Sequence, residues 1–236
     1  MIFNSIEFAI FLPIVFLFYW FVFNRSLRLQ NLFIVVVSYI FYGWWNWKFL
    51  FLIAFTSFCS WSSGLFIDRF RQTRLVSKSV AIVNVVLNLA ILGVFKYYNF
   101  FATSFANFFL GGNTDGILLN LILPVGISFY TFQALSYTID VFKNKIRPTE
   151  DIIEFFAYVC FFPQLVAGPI ERATNLLPQF QTKRNFCYDD AVDGCRQMLW
   201  GLFKKVVVAD NCAIYVNQVF SSYQQQNGSA LLAAAI

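Results

Sequence analysis

Residues 49–67 read FLFLIAFTSFCSWSSGLFI, and residues 79–95, beyond a short charged linker, read SVAIVNVVLNLAILGVF. Neither run contains a charged residue, and each is about as long as a helix must be to cross a bilayer. The whole chain has the same character, since 59% of its 236 residues are hydrophobic and only 12% are charged. Soluble domains are about 25% charged. The two runs therefore predict an all-α, polytopic membrane protein.

Further apolar segments lie on both sides of these two runs. Together they predict about five to six spans, with re-entrant or interfacial helices, in a single membrane domain covering residues 1–236. The additional predicted spans are residues 8–23, 32–47 and 117–142. Residues 97–110 are predicted to form an interfacial helix and residues 111–116 an external loop. Residues 188–220 are predicted to form amphipathic helices that lie on the cytoplasmic side or are partly inserted in the membrane.

The positions of lysine and arginine predict the orientation of the chain. The linker at residues 69–78 carries four cations and residues 25–28 carry two, whereas the loop between them contains only Lys48. Because cytoplasmic loops collect lysine and arginine, this alternation predicts an external N-terminus. The net charge of +5 is spread over such loops instead of forming one basic face. Nucleic acid is therefore not predicted as a partner.

Two of the apolar segments contain residues that break helices. Non-helical backbone is tolerated at membrane depth only where protein or a water-filled cavity covers it. The second of these segments either crosses the membrane or re-enters it, and the cations that follow it favour the re-entrant interpretation. The helix breakers are Pro124 and Gly126 in residues 117–142, and Pro163, Gly168 and Pro169 in residues 152–170.

Small and polar residues recur at helical spacing inside two of the predicted spans. Thr56, Ser60 and Gly64 share one helix face, which favours close packing against another helix. Asn84 and Asn88 also share a face. They either form an interhelical hydrogen bond or line a polar tunnel.

Two pairs of ionisable residues are candidate site residues. Glu171 and Arg172 follow the second broken segment, where they either organise the loop or meet an anionic cofactor. Lys204 and Lys205 either extend to the cytoplasmic interface or meet an anionic carrier or lipid head group.

The sequence contains no self-contained active site that we recognise. It has no histidine and no Cys-x-x-Cys pair, so no metal site is predicted. Gly126-Ile-Ser128 is half of a nucleophile elbow, but there is no histidine to act as the base. Asp140 is either a functional acid within the membrane or an ion-pair partner of Lys143.

Several blocks of sequence carry a resemblance to a known family. The blocks are, in order, Ser38-Tyr-Ile-Phe-Tyr42 with Trp44-Trp45, Phe95-Lys-Tyr97, LPVGISFYTFQALSYTIDV at residues 123–141, FPQLVAGPIER at residues 162–172, and Gly201-Leu-Phe-Lys-Lys205 with Ala209-Asp210. Together they resemble the N-terminal half of a membrane-bound O-acyltransferase (MBOAT), specifically of the alginate O-acetyltransferase branch.

The resemblance implies a multi-pass enzyme of the bacterial inner membrane. Such an enzyme passes an acyl group, usually acetyl, from a donor on the cytoplasmic side to hydroxyls of an exported polysaccharide such as alginate. The donor, acetyl-CoA or an acyl carrier, is a substrate and no covalently bound cofactor is expected. The expected partners are membrane lipid, the polysaccharide and periplasmic acetylation proteins. The residues expected to line the donor-side funnel are Gly168, Pro169, Glu171, Arg172, Lys204 and Lys205.

The catalytic base of the family has no counterpart in this sequence. The family's base is a histidine in its second half, whereas this chain has none. The apolar run at residues 230–236 is too short to span a membrane. These observations predict a fragment that is inactive alone and needs residues beyond Ile236. Two other classes remain open: a transporter or channel whose broken helices bind the substrate, and a non-catalytic membrane subunit.

Overall fold

A computed structural model describes residues 3–109, 118–119, 122–165 and 168–235; the predicted external loop at residues 111–116 lies outside these ranges. Every secondary-structure element assigned within the described residues is a helix, as predicted. The chain divides into two compact units. Unit 1 is Pro13–Arg184, and unit 2 comprises residues 3–12 and 185–235. A single membrane domain for residues 1–236 stays a prediction.

The helices are numbered in chain order. The first five are α1 (Ile6–Leu17), α2 (Leu27–Gly43), α3 (Lys48–Arg69), α4 (Arg74–Phe109) and α5 (Ile127–Phe142). The others are α6 (Ile152–Val159), α7 (Phe162–Leu165), α8 (Ala173–Gln181), α9 (Tyr188–Phe203), α10 (Asp210–Ser221) and α11 (Gly228–Ala235). A π-helical segment, Phe18–Val22, extends α1, a second, Lys204–Ala209, joins α9 to α10, and a 3-10 turn covers Tyr223–Gln225.

Local sequence determines where several helices begin. The Ser26 hydroxyl accepts a hydrogen bond from the backbone N–H of Leu29 (3.2 Å) and so caps α2. The Asp151 carboxylate caps α6 in the same way, through the N–H of Ile153 (2.8 Å). Such caps stabilise a helix by about 1 kcal/mol each. Polar residues between apolar segments thus fix the starts of these two helices.

Helices α3 and α4 are long and apolar enough to cross a membrane. With 22 and 36 residues, they are about 33 and 54 Å long, against a hydrocarbon core of about 30 Å. The single helix α4 contains both the predicted span at residues 79–95 and residues 97–110 as far as Phe109. The prediction of a helix here is confirmed as far as Phe109, although this helix continues the span, because Lys96 and the asparagines after it are polar but do not break a helix. Its interfacial position stays a prediction.

The exposure pattern of α3 is that of a helix that faces lipid. Phe51, Phe55 and Phe58 lie on one side, with exposed fractions of 70%, 51% and 51%. Thr56 and Ser60 are 1% and 0% exposed. A helix on the surface of a soluble protein would bury its phenylalanines and expose its hydroxyls. The reversed pattern, together with the lengths of α3 and α4, is that of a membrane protein, although the number of spans stays a prediction.

Helix α5 lies in the middle of unit 1, in contact with α3 and α4 and with α6, α7 and α8. The predicted small-residue face of α3 is turned inward, and Gly64 lies directly against Tyr137 of α5. A Cβ atom at Gly64 would lie 2.5 Å from the Tyr137 hydroxyl oxygen. The Tyr137 ring packs in turn on Phe155 of α6, with ring centroids 4.5 Å apart. The prediction that small residues on α3 allow close packing is confirmed.

The two asparagines of α4 form hydrogen bonds to α3. The Ser60 hydroxyl donates to Asn84 Oδ1 (3.3 Å), and the Asn84 amide donates to the carbonyl of Cys59 (3.2 Å). Asn88 donates to Ser60 Oγ (3.3 Å) and also contacts the Asn84 side chain. Both asparagines are buried. Of the two interpretations left open, the structure contains the interhelical hydrogen bonds.

Unit 2 is dominated by a continuous helical path from α9 through Lys204–Ala209 to α10. Among its described residues, only Val219 and Ala234 are buried. Large apolar side chains of this unit are exposed, including Trp200 at 60% and Ile214 at 68%. Unit 2 therefore has almost no core of its own.

Candidate functional site

The two predicted interruptions of apolar segments are both present in unit 1. Residues 122–126 are not helical, and α5 begins only at Ile127. Its 16 residues extend about 24 Å, less than the hydrocarbon core. Residues 152–170 form the short helices α6 and α7 followed by non-helical backbone at residues 168–170. Whether residues 152–170 cross the membrane or re-enter it stays a prediction.

The two interruptions lie against each other. Gly126 has a left-handed backbone conformation (φ 75°), and a Cβ atom at this position would collide with the carbonyl oxygen of Leu165 at the end of α7. Glycine adopts such a conformation without steric cost and leaves room for the neighbouring backbone. We call residues 122–126, 160–165 and 168–172 together the break junction.

Two hydroxyls of helix α2 form hydrogen bonds with backbone groups on both sides of the break junction. The Tyr42 hydroxyl donates to the carbonyl oxygen of Val125 (2.7 Å), and Ser38 Oγ accepts from the N–H of Phe162 (3.2 Å). Ser38 and Tyr42 are one helical turn apart and are 0% and 4% exposed. Backbone groups freed by a break must find such partners at membrane depth. The Ser38–Tyr42 block thus contacts both of the broken blocks.

Two buried glutamines extend the hydrogen bonds of the break junction. The side-chain amide of Gln133 in α5 donates to Gln164 Oε1 (2.9 Å), and the Gln164 amide donates to the carbonyl of Pro169 (2.6 Å). The hydroxyl of Tyr158 donates to the backbone carbonyl of Gln133 (3.2 Å). Sequence reasoning missed both glutamines. The available signal was an uncharged amide close to the helix breakers in each of the two broken segments.

The candidates Gly168, Pro169, Glu171 and Arg172 form one continuous segment that leads into α8. Gly168 has a positive φ of 150°, and Gly168 and Pro169 are exposed above the buried Gln164. The Glu171 carboxylate accepts from the Asn175 amide (3.4 Å). Within the described residues, neither Glu171 nor Arg172 forms an ion pair. The loop is held through its backbone at Pro169 and through the contact of Glu171 with Asn175, and whether Glu171 and Arg172 also meet an anionic cofactor stays a prediction.

The other two candidates, Lys204 and Lys205, belong to unit 2. The Lys205 ammonium forms an ion pair with the Asp210 carboxylate. Lys204 instead lies over the ring of Trp200, with its nitrogen 5.8 Å from the ring centroid, and Trp200 stacks on Phe203. The two adjacent lysines therefore differ, because only the charge of Lys205 is balanced by a described acid.

Asp140 forms an ion pair, but with a different lysine from the predicted one. Its carboxylate lies 3.8 Å from Lys145 Nζ, and its side chain is 8% exposed. The backbone N–H of Lys145 also donates to the Asp140 carbonyl (2.8 Å). Asn144, with φ of 58°, turns the chain back after α5 and so directs Lys145 toward Asp140. The sequence spacing suggested Lys143 because it assumed that the helix continued.

A second polar cluster, partly buried, surrounds Arg184 at the end of unit 1. The Arg184 guanidinium donates to Asn31 Oδ1, and the Asn31 amide donates to the carbonyl of Phe180 (2.8 Å). The guanidinium also lies over the rings of Tyr19 and Phe180, 5.4 and 5.5 Å from their centroids. Burial lowers the pKa of Arg184, and its interaction with Tyr19 opposes that shift. An arginine remains charged under such conditions, so the cluster holds a half-buried cation.

The chemistry available at the break junction is hydrogen bonding. Within the described residues there is no group of three or more histidine, cysteine, aspartate or glutamate side chains that could hold a metal ion. What the buried Gln164 of the junction and its neighbours Ser38, Tyr42 and Gln133 provide is uncharged amides and hydroxyls, surrounded by aromatic side chains. Such a site can bind and orient a polar ligand.

Comparison with other proteins gives a consistent result. No protein-family model matches the chain. No solved structure matches it. The chain is 36% identical over 236 residues to a protein of Pseudomonas putida named probable alginate O-acetylase AlgI, which is 99% of this chain and 48% of that protein. It is also 36% identical over 208 residues to the protein of the same name from Pseudomonas aeruginosa, covering 88% of this chain and 40% of that protein.

A relative with a different name is the peptidoglycan O-acetyltransferase of Helicobacter pylori. It is 33% identical over 235 residues, covering 88% of this chain and 44% of that protein. The chain thus spans somewhat less than half the length of these relatives. The resemblance that the sequence blocks indicated is confirmed, because over most of its length the chain is homologous to proteins named probable alginate O-acetylase.

Proposed function

We propose that this chain forms part of a membrane-bound O-acetyltransferase that passes an acetyl group from a cytoplasmic donor to hydroxyls of an exported polysaccharide. The observation that carries this proposal is the 36% identity, over 99% of the chain, to a probable alginate O-acetylase. The relative named for peptidoglycan suggests a second acceptor. Alginate and peptidoglycan are therefore the two acceptors to test.

The break junction supports this function on physical grounds. An acetyltransferase of this kind must bring a polar donor and a polar acceptor together within an apolar protein. Buried amides and hydroxyls at Gln133, Gln164 and Tyr42 offer a polar environment there. Because broken backbone at membrane depth must be covered by protein or line a cavity, the junction is a suitable place for such a site.

We assign a donor-binding role to the loop of residues 168–172 in unit 1 and, as a separate assignment, to Lys204 in unit 2. Acetyl-CoA and acyl carriers are both anionic, and Arg172 and Lys204 are exposed cations without an ion pair among the described residues. The cation distribution along the chain supports a cytoplasmic location for the donor and an external N-terminus. The membrane is then the bacterial inner membrane, and periplasmic acetylation proteins are the expected partners on the other side.

The reaction needs a base, and the 236 residues contain no histidine that could act as one. In the transfer, the acceptor hydroxyl oxygen attacks the carbonyl carbon of the donor thioester. The bond between that carbon and sulfur breaks, the hydroxyl proton passes to the base, and the leaving thiolate takes up a proton. Since the relatives are more than twice as long as the matched region, we assign the base to residues outside this chain. Residues 1–236 expressed alone should then transfer no acetyl above background, and measurable transfer would overturn this assignment.

The main experiment measures transfer of radiolabelled acetyl from acetyl-CoA to alginate and to peptidoglycan fragments. It uses membranes from cells that express the protein from its natural gene. Label in one of the acceptors, removable by mild alkali as an ester, is the expected result. Absence of label in both acceptors, in membranes where the protein is present, would contradict the proposal.

The adjacent lysines provide a matched control for the donor side. We expect Lys204→Gln to raise the KM for the donor and to leave kcat little changed, since it removes a cation that attracts the donor. Lys205→Gln should have a smaller effect, because Asp210 already balances that charge. Equal effects of the two variants would argue against a donor-binding role for Lys204.

One alternative function has a specific observation in its favour. Two broken helices that meet are also found in transporters, where the broken backbone binds the substrate. Membranes that move a solute but acetylate neither acceptor would favour that function. Activity that returns only when a separate catalytic protein is added would favour a non-catalytic subunit.

A further inference from the structure

We propose that the side-chain oxygen of Gln133 is a substrate-binding acceptor at the break junction, which receives a hydrogen bond from an N–H or O–H group of the ligand. This inference rests on the proposed function, in that the ligand is one of the two substrates of acetyl transfer. It adds a binding role for a residue in α5 that lies outside the donor-side loop.

The orientation of the Gln133 amide is fixed by its neighbours. The carbonyl of Pro169 can only accept, so the group of Gln164 that lies 2.6 Å from it must be the NH₂. Gln164 therefore turns its oxygen toward Gln133, and the group of Gln133 that lies 2.9 Å from that oxygen must also be the NH₂. The oxygen of Gln133 is then turned away from Gln164. Exchanging oxygen and nitrogen in either amide would place two acceptors against each other.

The Gln133 oxygen has no hydrogen-bond donor in the described part of the chain. The residue is 1% exposed. A buried acceptor without a donor costs about 1 to 3 kcal/mol. Most buried polar groups in native proteins are hydrogen-bonded, and the exceptions call for an explanation such as a role in binding.

The remainder of Gln133 is held firmly. Its backbone carbonyl accepts from the Tyr158 hydroxyl (3.2 Å), and its side-chain NH₂ is bound to Gln164. Gln164 in turn contacts Pro169 in the exposed loop, so two hydrogen bonds connect this loop to the NH₂ of Gln133 and fix the direction of its oxygen. A polar group fixed in this way loses little freedom when a ligand binds.

The ligand must supply a hydrogen-bond donor. The pantetheine arm of acetyl-CoA carries amide N–H groups, and a polysaccharide acceptor carries hydroxyls. Both ligands supply a hydrogen-bond donor, so only an experiment distinguishes the acetyl donor from the polysaccharide. The probes are acetyl-CoA and an alginate oligosaccharide, each added to the purified full-length protein in detergent.

The test compares Gln133→Met with Gln164→Met. Both substitutions remove the hydrogen bond between the two glutamines, but only Gln133→Met removes the Gln133 oxygen that has no donor. We expect Gln133→Met to weaken the binding of one of the two probes about tenfold, the effect of losing one hydrogen bond. Gln164→Met should weaken it by less. The probe whose binding changes identifies the substrate that contacts Gln133.

Unfolding without ligand gives a second measurement. Because Gln133→Met removes an acceptor without a donor, its unfolding temperature should equal or exceed that of Gln164→Met. A lower value, including failure to fold, would overturn the proposal, and so would wild-type affinity for both probes in Gln133→Met. If the wild-type protein binds neither probe, the proposed function fails as well, which distinguishes that result from failure of this inference alone.

Discussion

Unit 1 and unit 2 are both built from helices, but they differ in what they bury. Unit 1 buries hydroxyls and amides such as Ser38, Asn84 and Gln133, and these groups fix its helices to one another. Among the described residues of unit 2, only Val219 and Ala234 are buried. A helix pair in lipid has no apolar driving force to pack, so polar contacts and close approach decide its geometry. The comparison teaches that the specific structure lies in unit 1, while the exposed apolar surface of unit 2 is available to lipid or to other protein.

The largest expected effect tests unit 1 at the break junction. Gly126→Ala should destabilise the protein by about 2 to 5 kcal/mol, the sum of the cost of a left-handed alanine and of overpacking against Leu165. Thermal unfolding in detergent measures this loss. Gly93→Ala in α4 is the control, since a Cβ atom there meets nothing within 4 Å. The control should gain up to about 1 kcal/mol, and a similar loss in both variants would contradict the account of the junction.

Replacing a helical glycine with alanine should change stability in opposite directions in the two units. Gly64→Ala forces a methyl group against the buried Tyr137 and should cost about 1 to 3 kcal/mol. Gly194→Ala in α9 of unit 2 has open space around it, and it should gain up to about 1 kcal/mol from helix propensity. The unfolding temperatures of the two variants should therefore move in opposite directions. A loss in Gly194→Ala would show that unit 2 is more closely packed than described.

The hydroxyls of α2 should have intermediate effects. Ser38→Ala leaves the Phe162 N–H without its acceptor, and Tyr42→Phe leaves the Val125 carbonyl without its donor; each should cost about 1 to 2 kcal/mol. Because the two breaks touch, the double variant should lose less than the sum of the two losses. Ser62→Ala, whose hydroxyl is bound only to the backbone of its own helix, serves as control and should change stability by under about 0.5 kcal/mol. Strict additivity would mean that the two breaks are independent.

The smallest effects concern the ion pairs. Lys145→Gln in unit 1 leaves the buried Asp140 carboxylate unpaired and should cost about 1 kcal/mol, the upper range for a pair with one exposed partner. Lys205→Gln in unit 2, where both partners are exposed, should cost less than about 0.5 kcal/mol. Unfolding at low and high salt checks the difference, because salt screens the exposed pair more strongly. A larger effect at Lys205 would contradict the contrast between the units.

The parts of this structure that the sequence predicted are the local ones. Apolar runs gave helices, and Pro124 with Gly126 gave an interruption, because hydropathy and backbone restrictions act over a few residues. The break junction depends on hydrogen bonds between residues that are far apart in the sequence. Ser38 and Phe162 are separated by 124 positions, and Tyr42 and Val125 by 83 positions. No local pattern specifies such pairs. The same limit explains why Gln133 and Gln164 were missed and why Asp140 was given the wrong lysine.

The position of Ser38 and Tyr42 on one helix has a kinetic consequence. A movement of α2 that releases Phe162 also pulls on the hydrogen bond to Val125, because both hydroxyls move with the same rigid segment. Local opening of the two interruptions is therefore a concerted event instead of two separate ones. In hydrogen exchange, the amides beside both interruptions would then become accessible at a common rate, which is set by the motion of α2.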